Sequence, residues 1–311
     1  MTITQLEYII AVDTCRHFST AAGQCFITQP TLSMQIQKLE EDLDVKIFDR
    51  SKQPVIPTET GEEIIKQARV IIHEEKMMQQ LIKNRKGLLE GELRIGIIPT
   101  LAPYLLPMFL QSFLSKYPDI KIRVKEMTTD VIIEKLKAGR IDAALMITPM
   151  QDNSIIEYPL FYEELVAYIS KKNAAFKKTY VLADDIDLKE LWLLEEGHCY
   201  RTQIMNLCEL KKQNKENSHF EYEAGSIETL RKMVEMNSGI TILPEMATLD
   251  FSVKQMKMVR HFKAPAPVRE VSLVTHRNYV KKKLVDVLKQ EITASLPKKI
   301  LLNKNSNIVK I

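Results

Sequence analysis

The chain lacks an apolar run long enough to cross a membrane, although its 311 residues suffice for roughly two or three domains. Its first residues have neither the basic nor the apolar region of a secretory signal, so we expect a cytoplasmic protein with no membrane partner. Four cysteines are too few for a disulfide scaffold in a chain of this length. Because cytoplasmic thiols are kept reduced, any disulfide here is expected to be transient and regulatory.

No single sign of charge dominates either. The net charge of the whole chain is +4, and residues 1–60 carry five basic and eight acidic side chains, a net charge of −3. This balance excludes a globally basic module for nucleic-acid binding. Any affinity of this segment for DNA must come from a locally basic face, with dimerisation or tetramerisation supplying the rest.

The first 60 residues predict three helices followed by a wing. Thr28 at the N-cap and Pro30 in the first turn are typical of the start of the third helix. Apolar residues recur along this helix at the spacing of one buried stripe, namely Leu32, Ile36, Leu39 and Leu43. Two short apolar segments around a polar turn, at 45–50 and 54–57, predict the wing.

The opposite face of the third helix carries short hydrogen-bonding side chains and one cation, as a helix that reads the major groove of DNA requires. An ordinary solvated face is the alternative, and the pattern taken alone favours that alternative. In the wing, Arg50 and Lys52 are candidates for phosphate contacts. The candidate DNA-binding residues are Gln29, Pro30, Thr31, Ser33, Gln35, Lys38, Arg50 and Lys52.

Residues 59–88 are rich in helix formers and contain no proline, which predicts one long helix. Its steps of four and three residues are typical of a dimerising seam, with members Ile64, Ala68, Ile71, Glu75, Met78 and Ile82. The alternative is a lone helix packed on its own domain. We favour a dimerising helix because two DNA-binding heads must be held at a fixed separation to read two half-sites.

Strands and helices alternate after residue 91, which predicts an α/β domain with a mainly parallel sheet. The predicted strands are 93–98, 120–124 and 143–147, and the predicted helices are 102–116 and 130–138. Ligands of such sheets sit beyond the carboxyl ends of the strands. Thr100 and Thr129 follow the first two strands and are candidates to line one pocket, although ordinary helix capping is the interpretation that position alone favours.

Two cysteines, Cys199 and Cys208, lie nine positions apart. His198 and Arg201 flank the first, which also precedes a predicted helix, and both features stabilise a thiolate. We therefore expect an exposed, reactive Cys199 and a buried Cys208, as a redox sensor requires. Two unrelated buried thiols are the commoner case. Metal binding is disfavoured because His198 and His219 lack tight ligand spacing, and we expect neither a metal nor a cofactor.

The N-terminal segment resembles the winged helix-turn-helix signature of the LysR-type transcriptional regulators. The matching residues are Ala21-Ala22, Phe26-Ile27, Gln29 to Ser33, Gln35-Ile36, Leu39-Glu40, Leu43 and Phe48-Asp49-Arg50. Asp44 is a departure, since the family commonly has glycine before the wing. The fold class implied is α/β, with a winged helix-turn-helix, a long linker helix and a periplasmic-binding-protein-like effector domain of two α/β subdomains.

The implied domains are a DNA-binding domain at 1–58, a linker and dimerisation helix at 59–90, and an effector domain at 91–311. Within the effector domain, subdomain I is expected at about 91–165 and 269–311, and subdomain II at about 166–268. A strand at 271–275 returns to the first subdomain. Ser226 is expected to cap a helix that runs through Met236.

The effector region is similar to the peroxide-sensing branch of that family. The similar stretches are 98–107, 196–199 with Cys208, 219–220 and 226–234. The resemblance implies a peroxide pocket formed by Thr100, Thr129, His198, His219 and Arg269. It also implies that Cys199 is oxidised to a sulfenic acid, which condenses with Cys208 to a reversible disulfide.

The resemblance further implies a transcription activator of antioxidant genes rather than an enzyme. Its expected partners are double-stranded promoter DNA, hydrogen peroxide as the signal and RNA polymerase. Its subunits are expected to pair through the linker helix as a homodimer and to form a homotetramer. Two alternatives stay open: a LysR-type regulator that answers a small organic ligand, and a thiol peroxidase.

Overall fold

The chain divides into two compact units, Met1–Leu88 and Leu89–Ile311. The structure, a computed structural model, describes residues 1–85, 90–187, 190–195, 199–208, 224–236, 238–277, 279, 282–302 and 307–309; within 73–85 it describes the side chains of 74, 75 and 78. Among these residues, no helix has the length and apolar character that a membrane crossing requires.

The first unit begins with the three predicted helices and the predicted wing, and a long helix follows them. In chain order its elements are α1 (Ile3–Cys15), α2 (Phe18–Gln24), α3 (Gln29–Leu43), β1 (Phe48–Asp49), β2 (Ile56–Pro57) and α4 (Glu59–Arg85). The strands β1 and β2 pair antiparallel, with Phe48 opposite Pro57. The wing predicted at 45–57 is therefore confirmed, with shorter strands than expected.

Helix α3 begins as predicted. The hydroxyl of Thr28 accepts a hydrogen bond from Thr31 N at 3.5 Å, and Pro30 lies in the first turn. The predicted stripe is buried at its first three positions, but Leu43 is 37% exposed. The prediction is wrong at Leu43 because this is the last residue of the helix. The next residue, Asp44, has a left-handed φ of 53°. Aspartate tolerates this conformation, which glycine adopts most easily.

A buried carboxylate on α3 holds the wing in place. Glu40 Oε1 accepts hydrogen bonds from Ile47 N at 2.8 Å and from Phe48 N at 3.3 Å. Its other oxygen accepts from Arg50 Nη2 at 3.2 Å. These bonds satisfy the buried charge, and they fix where the wing leaves the end of α3.

Helix α4 packs its first half on its own unit. Ile65, Ala68 and Ile72 are buried there, and Arg69 Nη2 lies 2.6 Å from Asp13 Oδ2. Further along the helix, Met78 is 62% exposed. The first half thus follows the alternative of a helix packed on its own domain, whereas Met78 in the second half is exposed, as a dimerising seam requires.

The second unit is built around one mixed sheet. Its strands are β3 (Gly91–Ile97), β4 (Ile120–Glu126), β5 (Ala143–Thr148), β6 (Ile155–Ile169), β7 (Tyr180–Val181), β8 (Ile240–Pro244), β9 (Val259–Phe262) and β10 (Val268–His276). Its helices are α5 (Ala102–Lys116), α6 (Thr129–Lys137), α7 (Cys199–Leu207), α8 (Ile227–Met236), α9 (Val253–Met256), α10 (Lys282–Ser295) and α11 (Lys298–Leu301). Short 3-10 turns occupy Ala174–Lys177, Ala183–Asp185 and Glu245–Thr248.

The strand order is β4-β3-β5-β10-β6-β9-β7, and β8 also pairs with β6. Strands β4 and β5 run parallel to β3, as predicted, but β10 runs antiparallel to both β5 and β6. The expectation of a mainly parallel sheet is therefore wrong beyond β5. Strand β10 returns to β5 from the far half of the unit, so it enters the sheet in the opposite direction.

Two long strands join the halves of this unit. The first part of β6 pairs with β10, and its last part pairs with β8 and β9. We call the half with β3, β4, β5, α5 and α6 the first lobe, and the half with β7, β8, β9, α7 and α8 the second lobe. The hydroxyl of Ser226 accepts from Thr229 N at 3.2 Å and caps α8, as predicted.

Candidate functional site

Cys199 is the first residue of α7, and its side chain is buried. Burial raises the pKa of the Cys199 thiol above its ordinary value; the Thr129 hydroxyl, the Arg269 cation and the backbone amides at the start of α7 lower it less. The prediction of an exposed Cys199 is therefore wrong, because the two lobes enclose the sulfur. The predicted helix N-terminus at this thiol is confirmed, and the cation that acts on the thiol is Arg269 instead of the flanking Arg201 that the sequence suggested.

Thr129 is the first residue of α6 in the first lobe, so the thiol lies where the lobes meet. Its hydroxyl lowers the pKa of the Cys199 thiol. Thr129 Oγ1 itself is buried, and no described residue lies at hydrogen-bonding distance from it. A buried polar atom without a partner is unfavourable by about 1–3 kcal/mol. This hydroxyl can therefore accept or donate a hydrogen bond to a small molecule beside the sulfur.

Arg269 of β10 is completely buried and brings the site together. Its Nε and Nη2 lie 2.8 and 2.7 Å from Glu163 Oε2. Its Nη1 donates to Thr100 Oγ1 at 3.3 Å, and Nη2 donates to the Thr100 carbonyl at 3.2 Å. The guanidinium also lies 5.4 Å from the ring centre of Tyr200, the neighbour of Cys199.

Glu163 of β6 is the buried counter-ion of Arg269, and the sequence analysis missed it. Burial raises the pKa of Glu163, and Arg269 and the Met246 amide oppose that rise. The amide donates to Glu163 Oε1 at 2.7 Å. The sequence contained a signal. Glu163 lies on the same face of the strand as the buried Phe161 and Leu165, and an acidic residue on a buried face is unusual.

Cys208 follows the last residue of α7 and is partly exposed, so the expected pattern of burial is reversed between the two thiols. Burial and then the Asp184 carboxylate raise the pKa of Cys208 to about 11. Cys208 N donates to Ile204 O at 3.1 Å, which continues the helix to this residue. At a rise of 1.5 Å per residue, the Cα atoms of Cys199 and Cys208 are about 14 Å apart. Both cysteines are free thiols.

Two of the residues predicted around the thiol, His198 and His219, lie outside the described residues. Arg201 donates Nη1 to Leu194 O at 2.7 Å, and it is not among the groups that shift the pKa of Cys199. Within the described ranges, no three His, Cys, Asp or Glu side chains are placed to hold a metal ion.

The predicted DNA-facing residues lie at the surface of the first unit. Gln29, Pro30, Lys38, Arg50 and Lys52 are exposed, and Thr31, Ser33 and Gln35 are partly exposed. The sequence analysis missed Met34, which shares this face of α3 and is 60% exposed. Met34 lies outside the predicted stripe of buried residues, so its exposure follows from that stripe, but the polar pattern of the candidate DNA-binding face does not include an apolar side chain.

Arg50 makes more contacts within its own unit than a side chain that only binds phosphate would need. Its Nη1 donates to Ser33 Oγ at 3.0 Å, and its guanidinium lies 5.0 Å from the ring centre of Phe18. With the Glu40 contact, these interactions hold the guanidinium against the start of the wing. A contact to phosphate would use the donors that remain.

Known families match both units. Residues 3–62 match the family described as "Bacterial regulatory helix-turn-helix protein, lysR family", and residues 86–297 match the family described as "LysR substrate binding domain". The chain belongs to the LysR family. As in other LysR-family proteins, the winged unit is the helix-turn-helix part, and the lobed unit is the part named for substrate binding.

Individual LysR-family relatives are more specific. The chain is 35% identical to the hydrogen peroxide-inducible genes activator of Haemophilus influenzae over 274 residues, 88% of this chain and 90% of that protein. A full-length OxyR variant from Pseudomonas aeruginosa has a TM-score of 0.77 and 32% identity, covering 94% of this chain and 98% of that one. A Corynebacterium glutamicum OxyR mutant described as bound to hydrogen peroxide has a TM-score of 0.60 and 26% identity, covering 94% and 92%. This LysR-family chain is therefore OxyR-like.

Proposed function

We propose that this chain is a cytoplasmic transcription activator that responds to hydrogen peroxide through Cys199 and Cys208. The observation that carries the proposal is that both thiols are free and lie at opposite ends of one short helix, α7. The names of the relatives support peroxide as the signal. The helix-turn-helix unit supports a regulator rather than an enzyme.

The reaction consumes one peroxide for each disulfide. The Cys199 thiolate attacks one oxygen of hydrogen peroxide, the S–O bond forms, the O–O bond breaks, and the leaving hydroxide takes a proton to become water. The Cys208 sulfur then attacks the sulfur of the sulfenic acid, the S–S bond forms and the S–O bond breaks, and the leaving hydroxide takes the proton of the Cys208 thiol to become a second water. The two sulfurs lose two electrons, which reduce the peroxide.

Residues around Cys199 suit the first step. The Thr129 hydroxyl, which lacks a partner among the described residues, can orient the peroxide, and the Arg269 cation stabilises the thiolate and the leaving hydroxide. Thr100 holds Arg269 through two hydrogen bonds. His198 and His219 remain predicted members of this pocket.

Disulfide formation requires α7 to unwind, because the Cα atoms of a disulfide lie within about 7 Å and the helix separates those of Cys199 and Cys208 by about 14 Å. Unwinding breaks specific contacts of the second lobe. Tyr200 donates its hydroxyl to Ile242 O at 2.9 Å, Gln203 donates Nε2 to Val309 O at 2.9 Å, and Ile204 is buried. Oxidation therefore couples to the shape of the second lobe.

On DNA, we propose that α3 enters the major groove of a promoter and that the wing contacts phosphate. The reading residues are Gln29, Pro30, Thr31, Ser33, Gln35 and Lys38, with Arg50 and Lys52 in the wing. Met34 adds an apolar surface suited to a thymine methyl group. Pairing through α4 gives a homodimer, further association gives a homotetramer, and the change in the effector domain alters promoter binding and contact with RNA polymerase.

The deciding experiment is footprinting of promoter DNA by reduced and by peroxide-treated protein. We expect the two forms to protect different lengths of DNA, and a Cys199→Ser protein to keep the reduced footprint after peroxide. Cys15→Ser is the matched control, since Cys15 is also a free thiol but packs in the first unit. Mass spectrometry must show the 199–208 disulfide in the treated wild type.

Other outcomes identify the alternatives. A Cys199→Ser protein that still changes its footprint, and a thermal shift that follows a metabolite instead of peroxide, would indicate a regulator of the small-ligand type. Continuous turnover of peroxide with a dithiol reductant, at many equivalents per subunit, would indicate a thiol peroxidase. Identical footprints of the fully disulfide-bonded and the reduced protein would contradict the proposal.

A further inference from the structure

A cavity of about 250 Å³ opens on the first lobe, outside the thiol site. Five of its nine lining residues are arginine or lysine: Arg94, Arg123, Lys125, Lys135 and Arg140. The apolar side chains of Met127 and Ile141 also line it. Its volume is slightly below the roughly 300–1,000 Å³ of pockets that hold drug-sized ligands, so it has room only for a small molecule or an ion.

The positive charge in this cavity is only partly neutralised. Arg94 pairs with the buried Asp142, and Arg123 pairs with Glu92. Lys125, Lys135 and Arg140 make no ion pair within the part of the chain that the structure describes. Three positive charges therefore share one small concave surface, and their mutual repulsion favours an anion between them.

Arg94 is held in place before any ligand arrives. Its Nε donates to Asp142 Oδ2 at 2.9 Å, and its Nη2 donates to Gly139 O at 2.8 Å and to Asp142 Oδ1 at 3.2 Å. Nη1 makes no hydrogen bond to the described residues, so one edge of the fork is available for an oxygen of the ligand. Preorganisation of this kind lowers the entropy lost on binding.

The location of the cations is not explained by local structure alone. Lys135 lies in the last turn of α6, where a cation also stabilises the helix dipole. Lys125 lies on β4 and Arg140 lies between α6 and β5, so neither has that role. Register places Arg94 opposite Arg123 in the parallel pair of β3 and β4, and each of these arginines has its own carboxylate partner.

We propose that this cavity binds a small oxyanion of the phosphate class, either inorganic phosphate or the phosphate group of a small metabolite. Arginine forks and lysine ammonium groups are the side chains that bind phosphate oxygens best. The three cations without an ion pair and Arg94 Nη1 are the donors available to such an anion. The apolar residues Met127 and Ile141 accommodate the carbon part of a phosphorylated metabolite.

The test uses the full chain and isothermal titration calorimetry, with ionic strength held constant by sodium chloride. Inorganic phosphate and glycerol 3-phosphate are titrated separately to distinguish the free ion from a phosphomonoester. The variants are Lys125→Gln and Arg140→Gln. Lys121→Gln is the matched control, because this substitution also removes one positive charge. Lys121 is exposed on β4, as Lys125 is, but does not line the cavity.

We expect saturable binding of at least one probe to the wild type. Each cavity variant weakens binding roughly tenfold, as expected for the loss of one charged hydrogen bond, and Lys121→Gln changes it less than twofold. Thermal unfolding without ligand checks that all variants fold. Equal weakening by all three variants, or no saturable binding of either probe to the wild type, overturns the proposal.

Discussion

A buried arginine has few tolerable surroundings, and those of Arg269 define the candidate redox site. Its charge is balanced by Glu163 and shared with Thr100, and it lowers the pKa of the Cys199 thiol against the larger effect of burial. The same cation thus stabilises the packing of the two lobes and the thiolate. Stability and reactivity can be separated only by changing both members of the ion pair.

Arg269→Met should destabilise the protein by about 3–5 kcal/mol, because Glu163 is left buried without a counter-ion. It should also slow the oxidation of Cys199. Glu163→Gln combined with Arg269→Met should recover much of the stability, since no charge stays buried, but not the oxidation rate. Urea unfolding and stopped-flow oxidation measure the two effects. Oxidation of the double variant at the wild-type rate would show that Arg269 acts only on folding.

The raised pKa of Cys199 predicts the pH dependence of its reactivity. The folded state favours the neutral thiol, so alkylation by iodoacetamide should be slow at neutral pH and should still be rising above about pH 8.5, where a free thiol is half ionised. Stability changes in the opposite direction to reactivity as pH rises. Above about pH 8.5 unfolding releases the proton of this thiol, so the free energy of unfolding falls. Peptide mass spectrometry follows each cysteine; a midpoint for Cys199 below pH 8.5 would contradict the prediction.

At the scale of elements, α7 is a helix that its surroundings hold together. It has nine residues, and isolated helices of this length are marginal in water. Its stability comes from one buried face, formed by Tyr200, Gln203 and Ile204, while Thr202 and Asn206 face solvent. An element of this kind can open without unfolding of the whole domain.

Thr202 offers a way to tune this opening without touching the site. Thr202→Ala should stabilise the helical, reduced state by about 0.6 kcal/mol, and Thr202→Gly should destabilise it by a similar amount or less. Because 30 mV corresponds to about 1.4 kcal/mol for two electrons, the alanine variant should have a redox potential roughly 10 mV higher and the glycine variant a lower one. Equilibration with glutathione buffers measures both. The same potential in all three proteins would mean that α7 does not unwind on oxidation.

At the scale of the whole molecule, the chain consists of two compact units, and α4 occupies the end of the first. The first half of α4 is buried in the unit through Ile65, Ala68 and Ile72. Its second half exposes Met78, an apolar side chain that a monomer would leave in water. A partner helix at that position would bury it, which suits a regulator that reads two half-sites.

Met78→Lys should therefore weaken the dimer and reduce affinity for DNA with two half-sites. Sedimentation equilibrium measures the dimer directly. Glu74→Lys is the control, since residue 74 is exposed on the same helix but lies outside the predicted seam. If both variants dimerise as well as the wild type, the seam is not the interface; if both lose the dimer, the charge of lysine and not the seam is responsible.

Local signals predicted the elements well. The helix at 102–116 and the cap of α3 at Thr28 follow from patterns within a few residues, because helical hydrogen bonds and caps join near neighbours. The same patterns failed at Leu43, where a stripe does not reveal that the helix has ended. They also failed for the direction of β10, which depends on strands more than a hundred residues earlier.

The amino-acid sequence alone determined the order of the elements, the resemblance of both units to LysR regulators, and the nine-residue spacing of Cys199 and Cys208. Only the tertiary structure decided that Cys199 is buried and that Glu163 is the counter-ion of Arg269. The hydrogen bond from Arg269 to Thr100 joins residues 169 positions apart. Burial and charge act through space, so the environment of a thiol is set by whichever segments the fold brings beside it.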